Sequence, residues 1–328
     1  MSLPFVSIIV AVGKNNPNLQ ECIRYCLALD YPALELLILP DEDWKHSYPA
    51  NVKIIPTGKE LPAKKRDIGV DHAQGEIVAF LDDDTYPVKD WLITAVNIFL
   101  ESDQIAAVSG PAVTPPSNDL MQQASGLIYS SWLVGGSYRY RYIPQSRREV
   151  DDYPTCNLLV RKSVMQEIGG FNTIFWPGED TKLCFAIVQN LKKKIIYDPK
   201  VLVYHHRRRL FRGHLKQILS YGLHRGYFVK RFPATSFRLS YFLPTILVLG
   251  ILFGWLLLYI NIAFFYLYLL GIGTYLISAL ITGLIAKADR YPADLKLKLA
   301  VFAGLIVSHF GYGIWFVKGL LASKLPEE

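Results

Sequence analysis

Acidic residues are absent from residues 205 to 238. The same stretch holds Arg207, Arg208, Arg209, Arg212, Lys216, Arg225, Lys230, Arg231 and Arg238, which is more positive charge than the net +7 of the whole chain. The rest of the protein is therefore slightly acidic, and the basicity belongs to one segment. It lies directly before an apolar tail, so an acidic lipid surface explains it better than nucleic acid does. No RNA- or DNA-binding signature is visible. Cysteine is sparse: Cys22, Cys26, Cys156 and Cys184 form no Cys-x-x-Cys pair. Cys22 and Cys26 stand one helical turn apart and read as small core residues, and a reduced, cytosolic soluble part fits. No secretory leader is expected. Phe5 to Val12 is too short and has no basic flank, and it reads as a first strand.

What is present divides sharply. From Ser240 to Leu321 the chain is almost continuously apolar, whereas the part before 205 has the composition of a globular protein. Strand-like and helix-like patterns alternate along that earlier part. Strands are expected at Phe5–Val12, Leu34–Leu39, Val52–Ile55 and Ile77–Leu81. Helices are expected from Leu19 to Leu27 and from Pro62 to about His72. This alternation argues for a doubly wound α/β domain over 1–204. A helix over Lys89–Leu100, a strand at Ile105–Ser109, a strand at Thr155–Val160 and a short helix at Lys162–Ile168 continue it. Leu120 to Arg148 is rich in Tyr, Gly and Arg without a clear period and is read as an acceptor-side insertion.

The most informative stretch is Gly75-Glu76-Ile77-Val78-Ala79-Phe80-Leu81-Asp82-Asp83-Asp84. An uncharged run of strand length ends in three carboxylates. Packed against a core they would repel one another and lose hydration, so they belong where the strand emerges. In an open parallel sheet that carboxyl end is where ligands bind. Clustered carboxylate oxygens suit a hard divalent cation, and such a cation suits a diphosphate. Asp41, at the end of the second strand, should share the rim.

The tail reads as membrane. Residues 205–238 interleave the basic side chains with Leu210, Phe211, Leu215, Ile218, Leu219, Tyr221 and Phe228, which fits one or two helices in the interface plane. Tyr241–Ile260, Ala263–Ile285 and Leu299–Leu320 are each long enough to span a bilayer, making 239–322 a transmembrane region. Lys287, Arg290, Lys296 and Lys298 should place the loop before the third span, and with it the α/β domain, in the cytoplasm, at the inner or plasma membrane. Three spans would put the chain end outside.

Together these motifs resemble the membrane-bound family 2 glycosyltransferases of GT-A fold. The resemblance rests on Val6-Ser7-Ile8-Ile9-Val10, on Leu34 to Asp41, and on Lys65-Arg66-Asp67-Ile68-Gly69. It continues through Ala73-Gln74-Gly75-Glu76 and Ala79 to Asp84, then Gly169-Gly170-Phe171 with Gly178-Glu179-Asp180. His205 or His206, Gln217 and Tyr221-Gly222 extend it. The tail, with His309-Phe310-Gly311-Tyr312-Gly313, is most similar to transferases that build succinoglycan-type exopolysaccharide repeat units.

The resemblance implies a nucleotide-diphosphate sugar as donor, with Mg2+ or Mn2+ held by Asp84 and Asp82 and the shell completed by His205 or His206. Val12, Asp41, Lys64, Arg66, Asp82 and Asp83 would contact the donor. Asp180, with Glu179 beside it, would be the general base of an inverting displacement. Trp176, Gln217, Tyr221 and Arg225 would meet a membrane or glycan acceptor, such as a polyprenyl-linked sugar. Processive family members carry Gln-x-x-Arg-Trp, where this chain reads Gln217-Ile218-Leu219-Ser220-Tyr221-Gly222, so one sugar per acceptor is expected. Alternatives are transfer to polyprenyl phosphate, as in dolichyl-phosphate sugar synthases, and a non-catalytic membrane-tethered nucleotide-sugar binder. A transporter subunit is disfavoured because the apolar helices hold only Ser, Thr and His309 as notable polar groups.

Overall fold

The computed structural model describes residues 3–44 and 47–327. Its contacts divide the chain into two compact units, one formed by Met1–Val113 with Tyr140–His206, the other by Thr114–Arg139 with Arg207–Pro326.

The first unit is built on an eight-stranded sheet. Strands β1 (Val6–Ala11), β2 (Leu34–Leu39), β3 (Val52–Ile54) and β4 (Ile77–Asp82) are mostly apolar, and β1, β2 and β4 are buried along nearly their whole length. Apolar residues on both faces of a strand require both faces to be covered, and the one buried charge, Glu35, is paired with Lys53 at 2.8 Å. Helices α1 (Pro17–Leu27) and α2 (Pro62–His72) connect them. Both begin with proline in the first turn, where its missing N–H costs nothing. Asn16 also caps α1, its side chain accepting from Leu19 N at 3.0 Å.

Next in the chain come β5 (Thr85–Pro87), α3 (Trp91–Phe99), β6 (Ile105–Ser109) and β7 (Ala112–Val113). After the segment that belongs to the second unit follow β8 (Arg148–Val150), β9 (Asn157–Arg161), β10 (Lys194–Tyr197) and β11 (Val203–His205). The large sheet runs β3-β2-β1-β4-β9-β6-β10-β8, with β9 antiparallel between β4 and β6. The parallel register pairs Ala11 with Leu39 on one side and with Asp82 on the other. The carboxyl ends of β1, β2 and β4 therefore form one rim. A small sheet, β5-β11-β7, begins directly after the acidic end of β4.

The second unit is helical. Leu120–Arg148 proves to be mostly regular: α4 (Leu120–Ser130), α5 (Trp132–Gly135), a 3-10 turn over Gly136–Arg141 and then β8. Asp119 and Gln122 make a reciprocal capping box at the start of α4. In the first unit, α6 (Lys162–Ile168) and α7 (Glu179–Phe185, continued as a π-turn to Asn190) flank the sheet. Then come α8 (Arg212–Arg231), α9 (Pro233–Ser236), α10 (Leu239–Phe253, extended by a 3-10 stretch to Tyr259), α11 (Ile262–Leu284) and α12 (Leu295–Leu321). Leu239–Tyr259, α11 and α12 are each long and apolar enough to cross a membrane.

Helix α8 runs beside α12 in the same direction. His214 meets Ser308, Gly226 lies against Phe316 and Leu320, and Lys230 Nζ donates to Ala322 O at 2.7 Å. Backbone approach is so close that a Cβ on Gly319 would stand 1.9 Å from Leu223 O. His214 is fully buried between three helices, 2.8 Å from Ser125 Oγ of α4 and 2.9 Å from Ser308 Oγ of α12. Burial, reinforced by Arg207, pushes its pKa down to about 4.

Candidate metal and nucleotide site

The rim at the ends of β1, β2 and β4 gathers the acids. Asp82 ends β4, and Asp84 follows two residues later, just before β5. β11 pairs antiparallel with β5, putting His205 opposite Thr85 and bringing its Nε2 to 3.2 Å from Asp84 Oδ1. One donor atom each from Asp82, Asp84 and His205 falls within a 4.8 Å group. Two carboxylates and an imidazole form a donor set that suits Mg2+ or Mn2+.

His206 does not join this group. Consecutive side chains leave an extended strand on opposite sides, so its Nε2 turns away to Glu21 Oε2 at 2.6 Å. Of the two histidines expected at the metal, geometry selects His205. Asn157, buried in the centre of the sheet, fixes the approach of β11. It donates to Gly110 O at 2.6 Å and Val201 O at 2.7 Å while accepting from Trp91 Nε1 at 2.9 Å.

Arg66 is buried on α2 and divides its guanidinium between two carboxylates. Nη2 donates to Asp82 Oδ1 at 2.7 Å and Nη1 to Glu179 Oε1 at 2.8 Å. Burial opposes its charge, yet Asp82 and Glu179 outweigh it and hold the pKa above the usual value. Asp83 points elsewhere, accepting from Asn16 Nδ2 at 2.6 Å. Its pKa is pushed up to about 6, chiefly by burial and then by Asp84 and Asp82, against the Asn16 hydrogen bond.

Lys64, expected to reach the donor, is exposed, whereas its neighbour Lys65 is buried. Lys65 Nζ donates to Val12 O at 2.7 Å, Leu39 O at 3.3 Å and Asp41 Oδ1 at 2.5 Å. It ties the ends of β1 and β2 together and orients Asp41. Lys65 stands one turn before Gly69, which packs directly on Ile9 of β1, a placement that the sequence alone does not announce. Asp67 was missed as well. It accepts from Phe171 N at 2.7 Å and Asn172 N at 3.1 Å, while Gly170 (φ 76°) brings the chain so close that a Cβ would stand 2.5 Å from Asp67 Oδ1. That turn leads to the loop carrying Trp176, which is half exposed, and on to α7.

Glu179 and Asp180 open α7 and differ in setting. Glu179 is buried and held by Arg66 and by Gly178 N at 3.0 Å. Asp180 is half-buried and accepts from Thr181 N at 2.7 Å. In the second unit, Gln217 bridges Tyr129 and Tyr221, with Oε1 at 3.1 Å and Nε2 at 2.9 Å from their hydroxyls, and Arg225 lies over the Tyr241 ring.

The profile of the glycosyl transferase family 2 matches residues 7–169, the span that holds the acid rim, Arg66 and the Gly169 turn. The chain carries a family 2 glycosyltransferase domain. A mannosyltransferase from Pyrobaculum calidifontis, solved with GDP-Man and Mn2+, superposes with a TM-score of 0.55 over 98% of this chain and 89% of that one, at 18% identity. The glycosyltransferase domain thus has the GT-A fold, followed by the apolar helices. A pre-mycofactocin glycosyltransferase of Mycobacterium tuberculosis is 27% identical over 70% of this chain and 45% of its own length, so this chain spans about half of that relative. A Methanococcus voltae enzyme, described as a dolichyl N-acetyl-α-D-glucosaminyl phosphate 3-β-D-2,3-diacetamido-2,3-dideoxy-β-D-glucuronosyltransferase, is 21% identical over 96% of this chain and 98% of its own.

Proposed function

We propose that the protein is an inverting, metal-dependent glycosyltransferase that moves one sugar from a nucleotide-diphosphate sugar to a polyprenyl-linked saccharide, in the synthesis of a cell-surface polysaccharide. The observation that carries this reading is the Asp82–Asp84–His205 group beside the buried Arg66. A Mg2+ or Mn2+ ion held there would neutralise the leaving diphosphate as a Lewis acid. The acceptor in the name of the Methanococcus voltae enzyme, a sugar already on a lipid phosphate, supports the acceptor class.

The chain's own groups divide the remaining work. Asp41, fixed by Lys65, accepts hydrogen bonds from the base, beside Val12. Arg66 holds and orients Asp82, and Asp83 and Lys64 flank the donor. Asp180 takes the proton of the acceptor hydroxyl as its oxygen bonds to the anomeric carbon. The bond from that carbon to the diphosphate oxygen breaks with its electron pair leaving on the nucleotide, and the carbon inverts. Glu179, beside Asp180, is engaged by Arg66 and Gly178 N, which leaves the proton to Asp180. Trp176, Gln217, Tyr221 and Arg225 contact the acceptor. Absence of the Arg-Trp pair after Gln217 supports a single addition.

The test offers the detergent-purified protein a set of labelled nucleotide sugars, with Mn2+ or Mg2+, and two acceptors, a polyprenyl-diphosphate sugar and polyprenyl phosphate. Label on the lipid-linked sugar, abolished by EDTA, is the expected result. Label on polyprenyl phosphate alone assigns the chain to the dolichyl-phosphate-synthase type. Transfer to neither, by protein that binds a nucleotide, overturns the catalytic reading in favour of a membrane-tethered binder.

A further inference from the structure

The three apolar helices are not equivalent. The most apolar windows of α10 with its 3-10 extension and of α11 are 11% and 6% buried, against 44% for α12. The buried residues of α10 are Thr245 and Val248, those of α11 are Ala279 and Gly283, and the 3-10 stretch between them has none. Gly250, Gly271 and Gly273, in the distal part of the hairpin, have no neighbour within 4 Å of a Cβ position.

Direction is more telling. Along α10, Phe242 packs on Phe316 and Thr245 donates to Gly313 O. Along α11, Tyr275 bonds His309 and Gly283 lies against Lys298 and Phe302. Both legs thus proceed backwards along α12, although they fold back on each other as a hairpin, with Gly254 against the Tyr268 ring. Two opposed legs can both run against a third helix only when that helix lies across their base. From Leu297 to Phe316 that base covers about 30 Å at 1.5 Å per residue.

Exposure agrees. The exposed apolar residues Leu295, Leu299, Val307, Ile314 and Leu321 of α12 fall within about a third of its circumference at 100° per residue. α4 and α8 cover another side: Gly304 meets Ile128 and Leu210, and Ser308 meets His214. Were α12 a span, α8 would accompany it through the bilayer, carrying the exposed Lys216 to mid-membrane. A charge there is expensive.

We propose that α12 lies in the headgroup plane of the bilayer, its apolar stripe in the acyl boundary, and that only the α10–α11 hairpin crosses. The occupant of the stripe is the lipid surface, and Ser323 is on the same side as α8 while Tyr259 is on the other. This inference does not depend on the catalytic reading.

Full-length single variants K216C, S323C and Y259C, in sealed membrane vesicles, test it with a membrane-impermeant maleimide, since the four native cysteines are buried. K216C and S323C should react together, and Y259C only after permeabilisation, or the reverse in vesicles of opposite orientation. S323C partitioning with Y259C, or K216C protected in vesicles of both orientations until detergent is added, overturns the proposal. K324C replaces S323C should that variant fail to accumulate.

Discussion

Arg66 holds Glu179 at 2.8 Å across 113 residues of sequence. The link joins the metal-side rim, through Asp82, to the loop that opens α7. Arg66→Ala would leave Glu179 buried without its cation, and loss of one partner of a buried pair costs about 3–5 kcal/mol. Thermal or chemical unfolding should show R66A strongly destabilised and R66A/E179Q partly recovered. An R66A protein as stable as the parent would show that the contact does not hold this loop.

Asp180→Asn should separate chemistry from binding. Loss of a general base lowers turnover by about 10²–10⁴-fold, while the KM for the donor changes little because Asp82, Asp84 and Arg66 are intact. Steady-state transfer assays check this. Activity within a few-fold of the parent would assign the proton to another group.

The two histidines should behave differently. H205A should weaken Mn2+ affinity at least about tenfold, whereas H206A, which loses contacts to Glu21 and Tyr86 that lie outside the metal group, should leave it unchanged. Titration of Mn2+ by its paramagnetic signal distinguishes them, and equal losses in both would remove the geometric assignment.

These predictions also show what was legible. Leu34–Leu39, Pro62–His72, Ile105–Ser109 and Lys162–Ile168 were read at the observed limits because each is closed by local punctuation or a complete apolar run. The Asp82–Asp84 rim and Asp41 were legible for the same reason, since both are strand ends. What failed was non-local. β9 inserts antiparallel between strands that precede it by dozens of residues, and nothing in Asn157–Arg161 announces its partners. α4 looked aperiodic because Ala124 and Ile128 find their apolar partners on α12, although Asp119 and Gln122 did carry a cap signal. The inward turn of Lys65 was likewise hidden, since sequence does not tell which of two adjacent lysines faces the sheet.

His214 gives the helical unit a pH dependence. Its folded pKa, lowered to about 4, lies below the ordinary 6.5, so the unfolded chain binds the extra proton between those values. Stability contributed by neutral His214 is whole above pH 6.5 and falls as pH drops towards 4, by on the order of 2–3 kcal/mol. Ser125, Ser308, Tyr129 and Arg207 surround it, and none takes up its charge. The melting temperature should decline over this window, and H214Q should flatten the slope. Equal slopes would place the acid sensitivity elsewhere.

The most direct test of the central claim is thermal stability of the purified protein against a panel of nucleoside diphosphates and nucleotide sugars, with and without Mn2+. One nucleotide class should raise the melting temperature only when Mn2+ is present, and D84A should lose that rise while remaining folded. No shift with any nucleotide, or an undiminished shift in D84A, would contradict a metal-bridged donor site on Asp82, Asp84 and His205.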